Sequence, residues 1–184
     1  SLMTIEDLNP EELLLQVFSL LEKGVVDFNH PFHECSFATQ DNKFVKQRYL
    51  VLRKINSERR SLFFYTDYQS DKVKQLKINN GCSLLFFAKD QGLQVSFNCV
   101  CHIHNQSPLS SVHFSTLKDH HYKHYCTLTK QKNFSDIKSI AENNFSVIVS
   151  NFNACDIVVL SKKQNKRFSY SWNKYNEISI KEIA

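Results

Sequence analysis

The chain has 184 residues, of which 42% are hydrophobic and 22% are charged. This composition excludes general disorder and allows one domain with a sizeable core. The net charge of +5 is spread along the chain rather than gathered in one stripe, which argues against a nucleic-acid-binding protein. Fifteen Phe and seven Tyr beside three Gly favour strands, so we expect a mainly β fold with flanking helices.

The sequence also bears on location. It contains no run of about 18 consecutive apolar residues, which a membrane-spanning helix needs. Its acidic N-terminal region lacks the apolar stretch of a signal peptide. We therefore expect a cytoplasmic protein without a membrane segment, whose six cysteines are reduced thiols, and we treat residues 1–184 as a single domain.

The first predicted element is an amphipathic docking helix at about residues 10–23. Asn9 is a good N-cap, and Pro10 suits the first helical position. Leucine, valine and phenylalanine side chains follow at helical spacing and form a wide apolar stripe. Gly24 predicts the C-terminal stop. We assign this helix to packing and not to chemistry.

Short strands and a few helices follow in chain order. Turn residues between apolar runs predict a single, mostly antiparallel β-barrel decorated by helices. The predicted strands are 35–39, 44–53, 62–65, 83–88, 93–104, 145–150, 156–160, 167–172 and 178–183, and the predicted helices are 70–78, 107–125 and 135–142.

The strand 93–104 separates into an apolar and a polar face, because side chains alternate along a strand. Cys99 and Cys101 fall on the apolar face, which favours buried thiols. A Cys-x-Cys metal site would need a second pair to complete a tetrahedral set. Gln94 opens the polar face, where its amide can contact a ligand.

Six histidines lie between residues 102 and 124. His120 and His121 are each within one helical turn of His124, but two histidines fill only half of a four-coordinate metal site. A solvated helix face is the simpler interpretation, and we predict no metal. The chain has no Gly-x-Ser-x-Gly elbow and no glycine-rich phosphate loop, which argues against a serine hydrolase, an NTPase and a dinucleotide-binding dehydrogenase.

Residues 48–72 carry the strongest functional signal. Arg48 comes directly before a short apolar run, and its guanidinium can bind a phosphate with two hydrogen bonds. Ser70 and Lys72 lie at the start of a predicted helix, whose first backbone N–H groups favour an anion. Arg53 lies on the opposite face of the same strand, so it reaches the same ligand only if the strand bends. The segment predicts a phosphate site; the alternative is a surface strand with ordinary flanking charges.

At these residues the chain resembles the pyridoxamine 5′-phosphate oxidase-like family, the FMN-binding split barrels. The resemblance covers residues 33 to about 100 in spacing and type, and only the pattern of strands beyond 105. The quoted motifs are Arg48-Tyr49-Leu50-Val51-Leu52-Arg53, then Phe63-Phe64-Tyr65-Thr66 leading to Ser70-Asp71-Lys72, and Gln94-Val95.

The resemblance implies a homodimer with FMN bound between the subunits, and it assigns the cofactor-binding residues. Arg48, Ser70 and Lys72 would hold the phosphate. The remaining residues would approach or line the flavin and its ribityl chain: Val51, Leu52, Arg53, Tyr65, Thr66, Gln94 and Arg167. It names no catalytic residue.

Four positions depart from the family pattern. Asp71 stands where the family has the arginine of Ser-Arg-Lys, and Leu93 replaces an arginine before the Gln-Val pair. Lys163 and Asn165 replace the Arg-x-His that marks pyridoxamine phosphate oxidases, so we do not expect that substrate. The implied function is an FMN-dependent oxidoreductase acting on a small-molecule substrate or electron donor. The alternative is a non-catalytic binding module on the same fold, carrying flavin, haem or another cofactor.

Overall fold

A computed structural model of the chain describes residues 4–126 and 134–183. Over these residues nine strands form one antiparallel sheet in the order β2-β1-β5-β6-β7-β4-β3, with β8 paired to β7 and β9 paired to β8. The strands are β1 Glu34–Asp41, β2 Phe44–Val51, β3 Lys54–Asn56, β4 Ser61–Asp67, β5 Gly81–Ala88, β6 Leu93–Asn105, β7 Phe145–Val159, β8 Lys166–Trp172 and β9 Ile178–Ile183. The α-helices are α1 Pro10–Val26, α2 Asp71–Ile78, α3 Pro108–Phe114 and α4 Phe134–Asn144.

The long strand β7 organises the sheet. One side of β7 pairs with β6 along almost its whole length. Its other side pairs with β4 over residues 145–151 and with β8 over residues 154–159, so the sheet divides there. This division makes the mainly β fold a split barrel, as predicted. The separate strands predicted at 145–150 and 156–160 are one strand, because Phe152 is buried and the ladder to β6 skips only Asn153.

The predicted strand 44–53 is too long. β2 ends at Val51, and the chain then moves to β3, which pairs with β4 instead of β1. The backbone N–H of Leu52 donates to His33, and that of Arg53 donates to Phe63 at 2.8 Å. The bend that Arg53 needs in order to reach the same ligand as Arg48 therefore lies at Leu52 and Arg53, where the hydrogen-bonding partners change.

The predicted helix 107–125 is two shorter helices. α3 ends at Phe114, and a 3₁₀ helix runs over Asp119–Tyr125. The hydroxyl of Ser115 donates to the Val112 carbonyl at 2.6 Å, and the hydroxyl of Thr116 donates to the His113 carbonyl at 2.7 Å. Such side-chain bonds compete with the backbone ladder, which explains why the helix stops here.

The hydrophobic core has two parts. The larger one fills the barrel and is covered by α1, whose Leu13, Val17 and Leu21 are buried. This confirms the predicted docking face. The smaller part lies between Phe63 on β4 and the described elements around α3 and α4. No helix among the described residues is long and apolar enough to cross a membrane.

Gly24 does not end α1 as predicted, because the helix continues to Val26. Its role is a close approach: an added Cβ would lie 2.5 Å from the carbonyl oxygen of Phe32.

We expect Gly24→Ala to lower the free energy of unfolding by about 1–3 kcal/mol, the usual cost of overpacking. Urea unfolding measures this loss. Gly81→Ala is the control, since its added Cβ would meet only the Asn79 side chain at 3.3 Å. Equal stability of the two variants would contradict the argument.

Candidate functional site

The first turn of α2 is open to a ligand. Ser70 is the N-cap residue, but its side chain does not cap the helix, contrary to expectation. Its Oγ lies 3.1 Å from the Thr66 Oγ1, and the Lys72 Nζ donates to the same Thr66 oxygen at 2.9 Å. Because no side chain caps them, the backbone N–H groups of this turn can bind an anion.

Arg48, on the neighbouring strand β2, lies close to Thr66, Ser70 and Lys72. Its Nη1 donates to the Thr39 Oγ1 at 2.7 Å and to the Phe37 carbonyl at 3.1 Å. Its Nη2 donates to the Gln75 Oε1 of α2 at 3.2 Å. These bonds tie β2 to α2 through neutral acceptors, so the charge of the guanidinium remains available for an anion.

The electrostatics of the two cations support an anion site. Burial lowers the pKa of Lys72, and the nearby Arg48 charge lowers it further. Burial also lowers the pKa of Arg48. Among the described residues, neither side chain has a carboxylate within 4 Å, and Arg167 with Asp156 forms the ion pair seen there. Two half-buried cations that lie near each other, with no carboxylate within 4 Å among the described residues, would be stabilised by a phosphate.

Asp71 lies in the site. It lines a cleft of about 580 Å³ together with Arg48 and Gln75. The negative charge of its carboxylate raises the pKa of Arg48 and that of Lys72. Burial lowers both pKa values and has the larger effect. The departure from Ser-Arg-Lys therefore places a negative charge beside the position expected for a phosphate.

The residues predicted to line the flavin lie near the strand break. Leu52 is fully buried in the core, so only its backbone is available to a ligand, while Val51 is half-buried. The Arg53 guanidinium lies 5.1 Å from the centre of the Tyr65 ring. The Tyr65 hydroxyl is 2.7 Å from the Nδ1 of His113, a contact that sequence reasoning missed because the two residues are 48 positions apart.

Gln94 and Arg167 lie on a different surface from Arg48. Both face the same side of the sheet, because Gln94 is paired with Val158 and Val158 with Arg167 in adjacent ladders. Gln94 lines an outer groove of about 480 Å³ that also contains Tyr49. Since Tyr49 follows Arg48 in β2, its side chain points to the opposite face. One chain thus brings Arg48, Ser70, Thr66 and Lys72 together but keeps Gln94 and Arg167 apart from them.

The remaining candidates behave as core or surface groups. Cys99 and Cys101 are buried as predicted, and the Cys101 Sγ lies 3.0 Å from the Cys82 Sγ. The rings of His120 and His121 are 4.0 Å apart. Within residues 4–126 and 134–183, no group of three or more His, Cys, Asp or Glu side chains is arranged to hold a metal.

The comparison with known families covers the same region. Residues 16–105 match the family described as "Pyridoxamine 5'-phosphate oxidase, FMN-binding domain". This match covers 90 of the 184 residues, and over this part the chain is similar to the pyridoxamine 5′-phosphate oxidase-like family. No curated protein sequence matches it significantly.

Solved structures of related folds match almost the whole chain. A pyridoxamine 5′-phosphate oxidase-related, FMN-binding protein from Nostoc punctiforme is 18% identical with a TM-score of 0.75, covering 96% of this chain and 98% of that one. PhzG from Burkholderia lata, solved with tetrahydrophenazine-1-carboxylic acid, is 15% identical with a TM-score of 0.72, covering 100% and 97%. At these identities the likeness concerns the fold.

FMN is therefore the cofactor of this pyridoxamine 5′-phosphate oxidase-like domain, as predicted from its family. The residues present fit the phosphate end of that cofactor. The uncapped first turn of α2 and the cations Arg48 and Lys72, which lack carboxylate partners within 4 Å among the described residues, would form the phosphate cradle. The carboxylates of Asp67 and Asp71 work against it, since both act on the charge of Lys72.

Replacing Asp71 by asparagine is expected to tighten FMN binding about fivefold to tenfold. The change removes a like charge beside the phosphate, and a shift of that size corresponds to about 1 kcal/mol. Isothermal titration calorimetry at moderate salt measures it. Glu58→Gln, which removes an exposed carboxylate outside the cleft, is the control and should leave the affinity unchanged. Weaker binding by the asparagine variant would mean that Asp71 supports the cofactor.

Proposed function

We propose that this protein is a homodimeric FMN-dependent oxidoreductase. The observation that carries the proposal is the convergence of Arg48, Lys72 and the open first turn of α2 on one site without a carboxylate partner within 4 Å among the described residues. When bound, FMN supplies hydride or two-electron transfer. The protein then has to bind the cofactor, orient it and exclude water.

The position of Gln94 supports the homodimer. Gln94 and Arg167 are assigned to the flavin, yet they face the opposite side of the sheet from Arg48 within one chain. A second copy of the chain, bound through this outer face, would place its own Gln94 and Arg167 at the cofactor held by the first copy. The outer face suits such a contact, because Tyr49, Leu85 and Phe87 are 76%, 40% and 47% exposed there.

The residues that would contact the flavin edge are polar and aromatic. Arg53 above the Tyr65 ring gives a positive charge beside an aromatic surface. His113 accepts from or donates to the Tyr65 hydroxyl, and burial, followed by the nearby Lys54 charge, lowers the pKa of His113, which favours the neutral imidazole. The pair fixes the ring of Tyr65 at the border of the site.

Pyridoxamine phosphate is not the proposed substrate. Lys163 and Asn165 occupy the positions of the Arg-x-His signature, in the connection between β7 and β8. The Asn165 Oδ1 accepts the backbone N–H of Ser161 at 3.1 Å, so this side chain holds the loop. The substrate or electron donor is another small molecule that reaches the exposed edge of the flavin.

The first experiment is an absorption spectrum of the untreated purified protein, followed by denaturation and identification of the released ligand. Bound FMN that is reduced by a nicotinamide cofactor and reoxidised by oxygen or another acceptor would establish an oxidoreductase. Bound FMN that no donor reduces would favour the non-catalytic flavin carrier. Failure to take up added FMN would remove the site assigned here.

A further inference from the structure

The cleft at Asp71 extends well beyond the phosphate cradle. Its volume of about 580 Å³ falls in the range of roughly 300–1,000 Å³ that holds a whole small molecule, and a single phosphate group leaves most of it empty. The family assignment accounts for Arg48 at one end. Nothing in that assignment accounts for Lys46, Lys74 and Ile78, which line the cleft farther out, together with Asp41 and Gln47.

Two rows of side chains form the walls of this cleft. On β2, Phe44, Lys46 and Arg48 share one face because they alternate by two residues. On α2, residues 71, 74 and 78 share one face because they are spaced by three and four residues. The helical row is about 10 Å long at 1.5 Å per residue. The cleft thus leads away from the phosphate cradle between two walls.

The order of groups along both rows is the same. Each row begins at the phosphate end with Arg48 or Asp71, continues with an exposed lysine and ends in an apolar side chain. Ile78 lines the cleft, and Phe44 lies next to it, with its ring centre 5.9 Å from the Lys46 Nζ. Phe44 is 60% exposed and Ile78 is 90% exposed. Asp41, which is paired with Phe44 in the β1–β2 ladder, also lines the cleft, so the cleft reaches this outer end.

We propose that this cleft binds the nucleotide extension of a flavin dinucleotide such as FAD, with the second phosphate between Lys46 and Lys74 and the base against Phe44 and Ile78. The inference rests on the proposed flavin function and names a further ligand for the same site. Neither lysine has a carboxylate within 4 Å among the described residues, so both charges are available to the second phosphate.

The position of Asp71 favours the dinucleotide for a separate reason. The terminal phosphate of FMN is a monoester and carries about −1.5 to −2 charges at pH 7. Within a dinucleotide, the same phosphate is joined to the ribityl chain by an ester and to the second phosphate by an anhydride, so it carries a single negative charge. The repulsion from the Asp71 carboxylate is therefore smaller for the dinucleotide, while the added charge lies farther away between the lysines.

The test compares the affinities of riboflavin, FMN and FAD by calorimetry at about 150 mM salt, where charges beyond roughly 8 Å are screened. We expect FAD to bind at least as tightly as FMN. Lys46→Glu and Lys74→Glu should each weaken FAD about tenfold and FMN less than about threefold, since only FAD places a phosphate between them. Asp71→Asn should improve FMN more than FAD.

The matched control is Lys77→Glu. It makes the same charge change on the same helix, but Lys77 donates to the Tyr68 hydroxyl at 2.6 Å and lines a different groove. Both affinities should stay near their wild-type values in this variant. FAD binding tenfold weaker than FMN binding, or equal losses for both ligands in the two lysine variants, would overturn the dinucleotide proposal while leaving the FMN site intact. Absence of binding by both flavins would overturn the flavin function as well.

Discussion

Replacing Arg48 by alanine is expected to weaken FMN binding about thirtyfold or more. The guanidinium is held beside the first turn of α2 by Thr39 and Gln75, and a charge-assisted bond to phosphate contributes about 2 kcal/mol or more. Arg48→Lys keeps the charge but cannot form bidentate hydrogen bonds to the phosphate, so we expect FMN affinity to fall by an intermediate factor of about tenfold. Calorimetry with FMN measures both changes.

Riboflavin provides the internal control for this prediction, because it has the same ring and ribityl chain but no phosphate. Its affinity should change by less than about twofold in Arg48→Ala, provided that the fold is intact. Arg59→Ala removes an exposed arginine from the turn before β4 and should affect neither ligand. Equal losses for riboflavin and FMN would show that Arg48 maintains the fold and does not recognise the phosphate.

If the chain forms the proposed homodimer, replacing Phe87 by aspartate is expected to convert it into a monomer. Phe87 lies on the outer face of β5 and is 47% exposed in the single chain, beside Leu85 and the groove that contains Gln94. A carboxylate buried there without a partner would cost several kcal/mol, enough to raise the dimer dissociation constant at least about a hundredfold. Size-exclusion chromatography with light scattering measures the mass.

The same variant should also bind FMN more weakly, since Gln94 and Arg167 would no longer reach the partner's cofactor. Val112→Asp is the control: Val112 on α3 is 66% exposed and lies outside this groove, so mass and affinity should remain unchanged. A wild-type chain that is monomeric and still binds FMN tightly would contradict the two-subunit site. A dimer that survives Phe87→Asp would place the interface elsewhere.

The sequence predicted most strands because alternation of apolar and polar residues is a local signal. The apolar row of β6 is buried as expected. Helix α2 and the polar groups around it were also predictable, because Ser70 and Lys72 lie within three positions of one another. The predicted side-chain cap was wrong, since Thr66 offers the Ser70 hydroxyl a closer partner across the turn.

The errors concern features that depend on distant residues. The continuity of β7 rests on two different partner strands, β4 and β8, which no local pattern contains. The hydrogen bonds of Arg48 to Thr39 and Gln75 join three elements, and the contact of Tyr65 with His113 joins two more. The sequence also does not predict that Asp71 faces the cleft, because this depends on how α2 packs against β2.

The connection between β6 and β7 has a dynamic consequence. These two strands share the longest ladder of the sheet, yet about 40 residues separate them. The described parts of this connection pack in the smaller cluster, against Phe63 on β4 and Val147 on β7, outside the barrel core. These elements can open without opening the barrel, so native-state hydrogen exchange should be faster for the amides of α3 than for those of β6. Because His113 belongs to α3 and Tyr65 to β4, each such opening would release one side of the flavin border while the phosphate end stays closed.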